Sequence, residues 1–148
     1  MVQDALHIVC AVAQLAAQCA AGQPDAARPV AIEVTAGVPG VAGAAASFDP
    51  SNRTIYVKPM PNDQLASYLA HELTHVLQVD AGATYGPFTC FAMEYEAFTA
   101  QRITWAAAHD GASAFTSPPA WAAINAVDDC RKNFGVSAAM PEAAIRTG

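Results

Sequence analysis

The chain has 148 residues, enough for one domain with a proper core, and 53% of them are hydrophobic. Its formal charge is −6, its pI lies near 4.9, and its seven lysines and arginines are scattered along the chain. That balance argues against a nucleic-acid partner, whose phosphates need a basic patch, and against an anionic membrane surface.

In chain order, Val2 to Ala21 puts Leu6, Val9, Cys10, Ala13, Ala17 and Ala20 near one helical face, which predicts a single amphipathic helix ended by Gly22. A signal peptide is the competing reading, because Leu6 to Ala21 carries no formal charge; the missing basic start and the presence of Asp4 and His7 speak against it. No other stretch approaches the roughly 20 apolar residues that cross a bilayer. Gln23 to Pro29 reads as a turn-rich link and Val30 to Val34 as a strand, after which Gly37 to Gly43 breaks regular structure. Ala44 to Phe48 and Thr54 to Lys58 read as two strands joined by the polar turn Asp49-Pro-Ser-Asn-Arg53.

The next element carries the chemistry. Pro61-Asn62-Asp63 predicts a helix start with Asn62 or Asp63 as cap, and Ala81-Gly82 its stop. Within it stands His71-Glu72-Leu73-Thr74-His75, with Leu69, Leu73, Val76 and Leu77 at the spacing of a buried stripe. Residues four apart share a helical face, so the two imidazoles can offer nitrogens to one metal ion while Glu72 reaches a water beside it. The bland alternative is a core helix with two solvated histidines. A catalytic zinc needs a third protein ligand, and Glu94 or Glu96 on a second predicted helix, Phe88 to Ala108, could return to it. Two residues apart on a helix point about 200° from each other, so only one of the two can face the site.

His71-Glu-Leu-Thr-His75 followed by Glu94-Tyr-Glu-Ala97 resembles the gluzincin metallopeptidases. The resemblance covers residues 46 to 98. It implies an α+β, mostly helical zincin-like domain spanning residues 1–148 with a small β-hairpin or sheet before the first zinc helix. It further implies Zn²⁺ held by His71, His75 and Glu94, with Glu72 as general base for a zinc-activated water that hydrolyses a peptide bond. Phe98 stands where many members carry an acidic residue behind the zinc, so that partner must come from elsewhere. In zincins the outer strand of the hairpin can bind an extended peptide; here that falls to part of Ala44 to Phe48 or Thr54 to Lys58, or the hairpin only closes the core. Tyr68, Tyr85, Tyr95, Arg102 and His109 are candidate oxyanion donors.

Beyond this helix, Asp110-Gly111 predicts a stop and Ala120 to Asn133 a last helix with Trp121, Ile124 and Val127 on one side; Trp105 and Trp121 are assigned to the core. On one continuous helix Cys10 and Cys19 would lie about 13 Å apart along the axis, too far to bond. Disulfides, if formed, should then join each of them to Cys90 or Cys130, which suits a secreted or periplasmic protein; four free thiols would suit the cytoplasm. Three functions remain open: a peptidase acting on peptide or protein, a zinc-holding interaction or effector domain that docks to an inhibitor or partner protein, and a hydrolase of a non-peptide or cell-wall amide.

Overall fold

The computed structural model describes residues 1–40, 43–109 and 118–135. It is an α+β structure. Helix α1 (Val2–Cys10), a short 3-10 turn (Ala13–Leu15) and α2 (Ala16–Ala21) lead into strands β1 (Ala31–Val34), β2 (Ala46–Asp49) and β3 (Thr54–Val57). Helices α3 (Asn62–Asp80), α4 (Cys90–Ala108) and α5 (Pro118–Phe134) follow. The expected stop at Asp110-Gly111 and the tail after Gly135 lie outside the described residues.

The N-terminal region corrects the expected single helix. The chain leaves helical geometry at Val12, whose backbone is extended (φ −94°, ψ 113°), and the two halves meet at 112°. No glycine or proline marks the break. Burial accounts for it: Val12 and Leu15 go inside with Ala5, Leu6 and Val9, which one straight rod could not deliver to the same core. The bend brings Cys10 and Cys19 to a Cα separation of 4.8 Å and they form a disulfide, so the expectation that neither could pair with the other is overturned with the straight helix that supported it. Cys90 and Cys130 form the second bond. Two disulfides point to an oxidising environment. Gly22 follows α2 at a close approach, where an added Cβ would lie 2.8 Å from Leu6 Cδ2 and 3.2 Å from Leu73 Cδ1.

The sheet has the order β1-β3-β2, with β1 parallel and β2 antiparallel to β3. The hairpin between β2 and β3 forms as the sequence predicts. In its turn Asp49 Oδ1 accepts from the Ser51 amide at 2.9 Å and Asn52 Oδ1 from the Thr54 amide at 3.1 Å. Arg53, at φ 51°, then reaches across to Asp80 at the end of α3 (2.7 Å), tying the turn to that helix. The Lys58 amide donates to the Ala45 carbonyl. Bonded pairs alternate along an antiparallel ladder, so Ala46 and Phe48 direct their backbone polar groups to the free edge of β2.

Helix α3 is the centre of the packing. Leu65, Leu69, Leu73 and Val76 are buried, each contributing roughly 1.5–3 kcal/mol. They meet Leu6 and Val9 of α1 and Ile55 and Val57 of β3 in one cluster. No side-chain cap starts α3: Pro61 occupies the N-cap, while Asp63 caps nothing beyond the amide of Gln64 and pairs with His109 at 2.9 Å. Its stop is as predicted. Gly82 (φ 95°) lets its own amide bond Val79 and the Ala83 amide bond Gln78, closing the last carbonyls.

Helix α5 packs on α4 with Trp121 and Val127 partly buried against the seam, but not Ile124. Ala122, Ala123, Ala126 and Cys130 are buried, whereas Ile124 is 62% exposed. Small side chains let the helices approach closely enough for the Cys90–Cys130 bond, and Phe91 and Phe98 of α4 fill the seam.

Candidate metal centre

One face of α3 carries Tyr68, His71, Glu72, His75 and Val79, and all five line a cleft of about 790 Å³. Its other walls are the segment from Ala44 to Phe48, the start and middle of α4, and a stripe of α5 that includes Trp121, Asn125 and Asp129. Trp121, expected in the core, therefore serves both places, since it also packs edge-on against Phe98.

His71 and His75, one turn apart, have ring centroids 4.9 Å from each other. Their ligand atoms and that of Glu72 lie within 4.8 Å of one another, a group that could hold a metal ion. Both rings also turn Nε2 toward the same oxygen: Glu94 Oε1 lies 3.1 Å from His71 Nε2 and 2.8 Å from His75 Nε2. Glu94 is buried, and its other oxygen accepts from the Tyr85 hydroxyl at 2.8 Å. The rival acid turns away. Glu96 is exposed and accepts from Gln78 Nε2 at 2.8 Å.

Charge is arranged accordingly. Burial by itself would raise the Glu94 carboxyl, but the hydrogen bonds and charges of His71 and His75 hold it well below the usual carboxylate range. Burial disfavours the charged His75 ring, yet the bond to Glu94, the charges of Glu72 and Glu94 and the bond to Gln78 lift its pKa to about 9. Burial raises Glu72 above an ordinary glutamate against the opposing pull of the two histidines. Asp129 rises to about 6, through burial first and the Glu94 charge second.

Several neighbours were not foreseen. Gln78 Oε1 accepts from His75 Nδ1 and Gln101 Oε1 from His71 Nδ1, both at 2.8 Å. Tyr85, one of five oxyanion candidates, is held by Asn133 at 2.9 Å and sits 3.1 Å from the sulfur of Cys90. Tyr68 lines the cleft as well; Tyr95, Arg102 and His109 do not. Phe98 stacks edge-on against His71 at 4.5 Å, and Gln101, one helical turn further, supplies the polar partner that position 98 lacks. The signal was available: Gln101 is seven residues beyond Glu94 and therefore on the same face of its helix.

No family model, no curated protein and no solved structure matches this chain.

Proposed function

We propose that the protein is a zinc-dependent metallopeptidase of gluzincin type on a zincin-like fold, with Zn²⁺ held by His71, His75 and Glu94 and Glu72 as general base. The observation that carries the reading is the convergence of both Nε2 atoms on one buried Glu94 oxygen, with the Glu72 carboxyl beside them at the bottom of an open cleft. Two imidazoles and a carboxylate are the donor set of a catalytic rather than a structural zinc, because they leave a coordination position free. Two rings facing one anionic oxygen also call for positive charge between them, whether protons or a metal.

Bound there, zinc supplies a Lewis acid that polarises a carbonyl and acidifies a water. Glu72, whose proton affinity burial has raised, takes a proton from the attacking water and passes it to the leaving amine. Substrate enters along β2, whose free edge offers the backbone groups of Ala46 and Phe48 to an extended peptide. Tyr68 and Tyr85 are the hydroxyls available in the cleft to a developing oxyanion. The two disulfides suit a secreted or periplasmic site of action.

The test is zinc content after dialysis together with cleavage of a casein-type substrate, for wild type and Glu72→Gln. Wild type should carry one zinc and cleave in a chelator-sensitive way; the variant should keep the zinc and lose cleavage by a factor of about 10²–10⁴. A wild type without zinc, or a variant that cleaves normally, refutes the proposal. Zinc with chelator-sensitive release from peptidoglycan fragments but not from proteins would move the substrate to a cell-wall amide, and zinc with neither activity would favour a docking role.

A further inference from the structure

The Nδ1 edges of the two imidazoles, turned away from Glu94, are where the molecule shows most about how the site is set. Each Nδ1 lies 2.8 Å from a glutamine amide oxygen, Gln78 for His75 and Gln101 for His71. An amide can be turned end for end, but Gln78 is fixed. Its Nε2 lies 3.0 Å from the Met93 carbonyl and 2.8 Å from Glu96 Oε1, and both of those groups only accept. The nitrogen must therefore face α4, and the oxygen must face His75. An oxygen can only accept, so His75 Nδ1 must carry a hydrogen, and Nε2, which faces Glu94, is the nitrogen left to exchange its proton for a metal in the cleft. Behind the amide, the Glu96 carboxylate polarises it, because a hydrogen bond drawn from the NH₂ end increases the electron density at the carbonyl end.

We propose that Gln78 and Gln101 are positioning residues for the two metal-facing imidazoles, Gln78 setting the tautomer and direction of His75 and Gln101 the direction of His71, with Glu96 acting on His75 through the Gln78 amide. The inference rests on the metal reading given above and assigns a use to the acid that does not face the site. It also replaces the carboxylate that commonly backs a ligand histidine with neutral amides, one of them backed in turn by a carboxylate. Three residues on two helices thereby aim two rings: Gln78 rides on the ligand helix itself, three residues after His75, while Gln101 and Glu96 come from α4.

The experiment measures zinc affinity by competition with a chromophoric chelator, with circular dichroism as the check on folding. Gln78→Leu and Gln101→Leu should each weaken zinc about 10–100-fold, the range seen when such partners are lost. Glu96→Gln alone should weaken it by a few-fold. A second form, the double variant Gln78→Glu with Glu96→Gln, keeps an acceptor at His75 Nδ1 and a hydrogen bond between positions 78 and 96 while taking the donor from the Met93 carbonyl; it should recover most of the affinity that Gln78→Leu loses, which a merely structural role would not do. Folded leucine variants with unchanged affinity, or a failed exchange, overturn the proposal. Long-range ¹⁵N–¹H spectra of the zinc-free protein separate this outcome from failure of the metal reading. A slowly exchanging His75 Nδ1 proton should be present in wild type and lost in Gln78→Leu even if no zinc binds, and its absence from wild type overturns the inference whatever the metal does.

Discussion

Replacing Glu94 by Gln removes the charge that holds a proton on His75, and the size of the effect can be worked from the site. In the zinc-free protein the His75 pKa stands at about 9 against an ordinary 6.5. That gap corresponds to roughly 3 kcal/mol, at about 1.4 kcal/mol per unit. Because the folded value is the raised one, this stabilisation is complete below the unfolded pKa of 6.5 and is lost as the pH climbs through about 9. Urea unfolding of wild type and Glu94→Gln, in chelator, from about pH 6 to 10, reads it directly from tryptophan fluorescence. Wild type should exceed the variant by its widest margin near pH 6, and the margin should shrink toward pH 10 by the part of that roughly 3 kcal/mol that Glu94 supplies, the Glu72 charge and the Gln78 bond supplying the rest. A margin constant across that range would refute the coupling of His75 to Glu94. The same proton must leave before a metal can take its place, so zinc affinity should run the opposite way, rising about tenfold per pH unit up to about pH 9 and levelling above it.

Mapping of unreduced peptides should recover Cys10 linked to Cys19 and Cys90 linked to Cys130; by loop length, serine pairs at these positions should cost about 3 and about 4 kcal/mol in chemical denaturation. Gly22→Ala should lower stability by about 1–3 kcal/mol, since its methyl meets Leu6 and Leu73 where three helices close, and an unchanged midpoint would contradict that packing. Leu69→Ala, at a fully buried position on α3, should cost about 2–5 kcal/mol by the same measurement. Tyr85→Phe removes one of the hydrogen bonds to Glu94 and should weaken zinc about tenfold in the chelator competition, with little change in folding.

The parts legible in the sequence were those written in local pattern. The hairpin followed from Asp49 to Arg53 between two β-branched runs, and α3 followed from its leucine spacing and Gly82. The pairing of His71 with His75 followed from the helix period and from chemistry, which left the downstream carboxylate open between Glu94 and Glu96; the gluzincin resemblance favoured Glu94, the one that meets the rings. What failed was non-local. Nothing in Ala11-Val12-Ala13 announces a break, because the cause is the burial of Val12 and Leu15 against α1, and with the break came the wrong cysteine pairing. Ile124 of α5 lies outside, apart from Trp121 and Val127, for a related reason. Ile124 is the stronger hydrophobe, but the close seam against α4 admits alanines and a cystine instead. The parallel pairing of β1 with β3 left no mark that four residues could carry.

The Cys90–Cys130 bond joins α4 to α5 beside one wall of the cleft. It is the only covalent tie, among the described residues, between α5 and the rest of the chain beyond the backbone, and the α5 side of the surface it reinforces centres on the small side chains of Ala122, Ala123 and Ala126. A newly made, still reduced chain would hold its imidazoles and acids on α3 and α4 but clasp the third wall weakly, leaving Tyr85 without its neighbour Asn133. Oxidation of this pair would thus set the Asn133–Tyr85 side of the cleft in place. Faster amide hydrogen exchange along α5 after mild reduction, with α3 still protected, is the signature to look for.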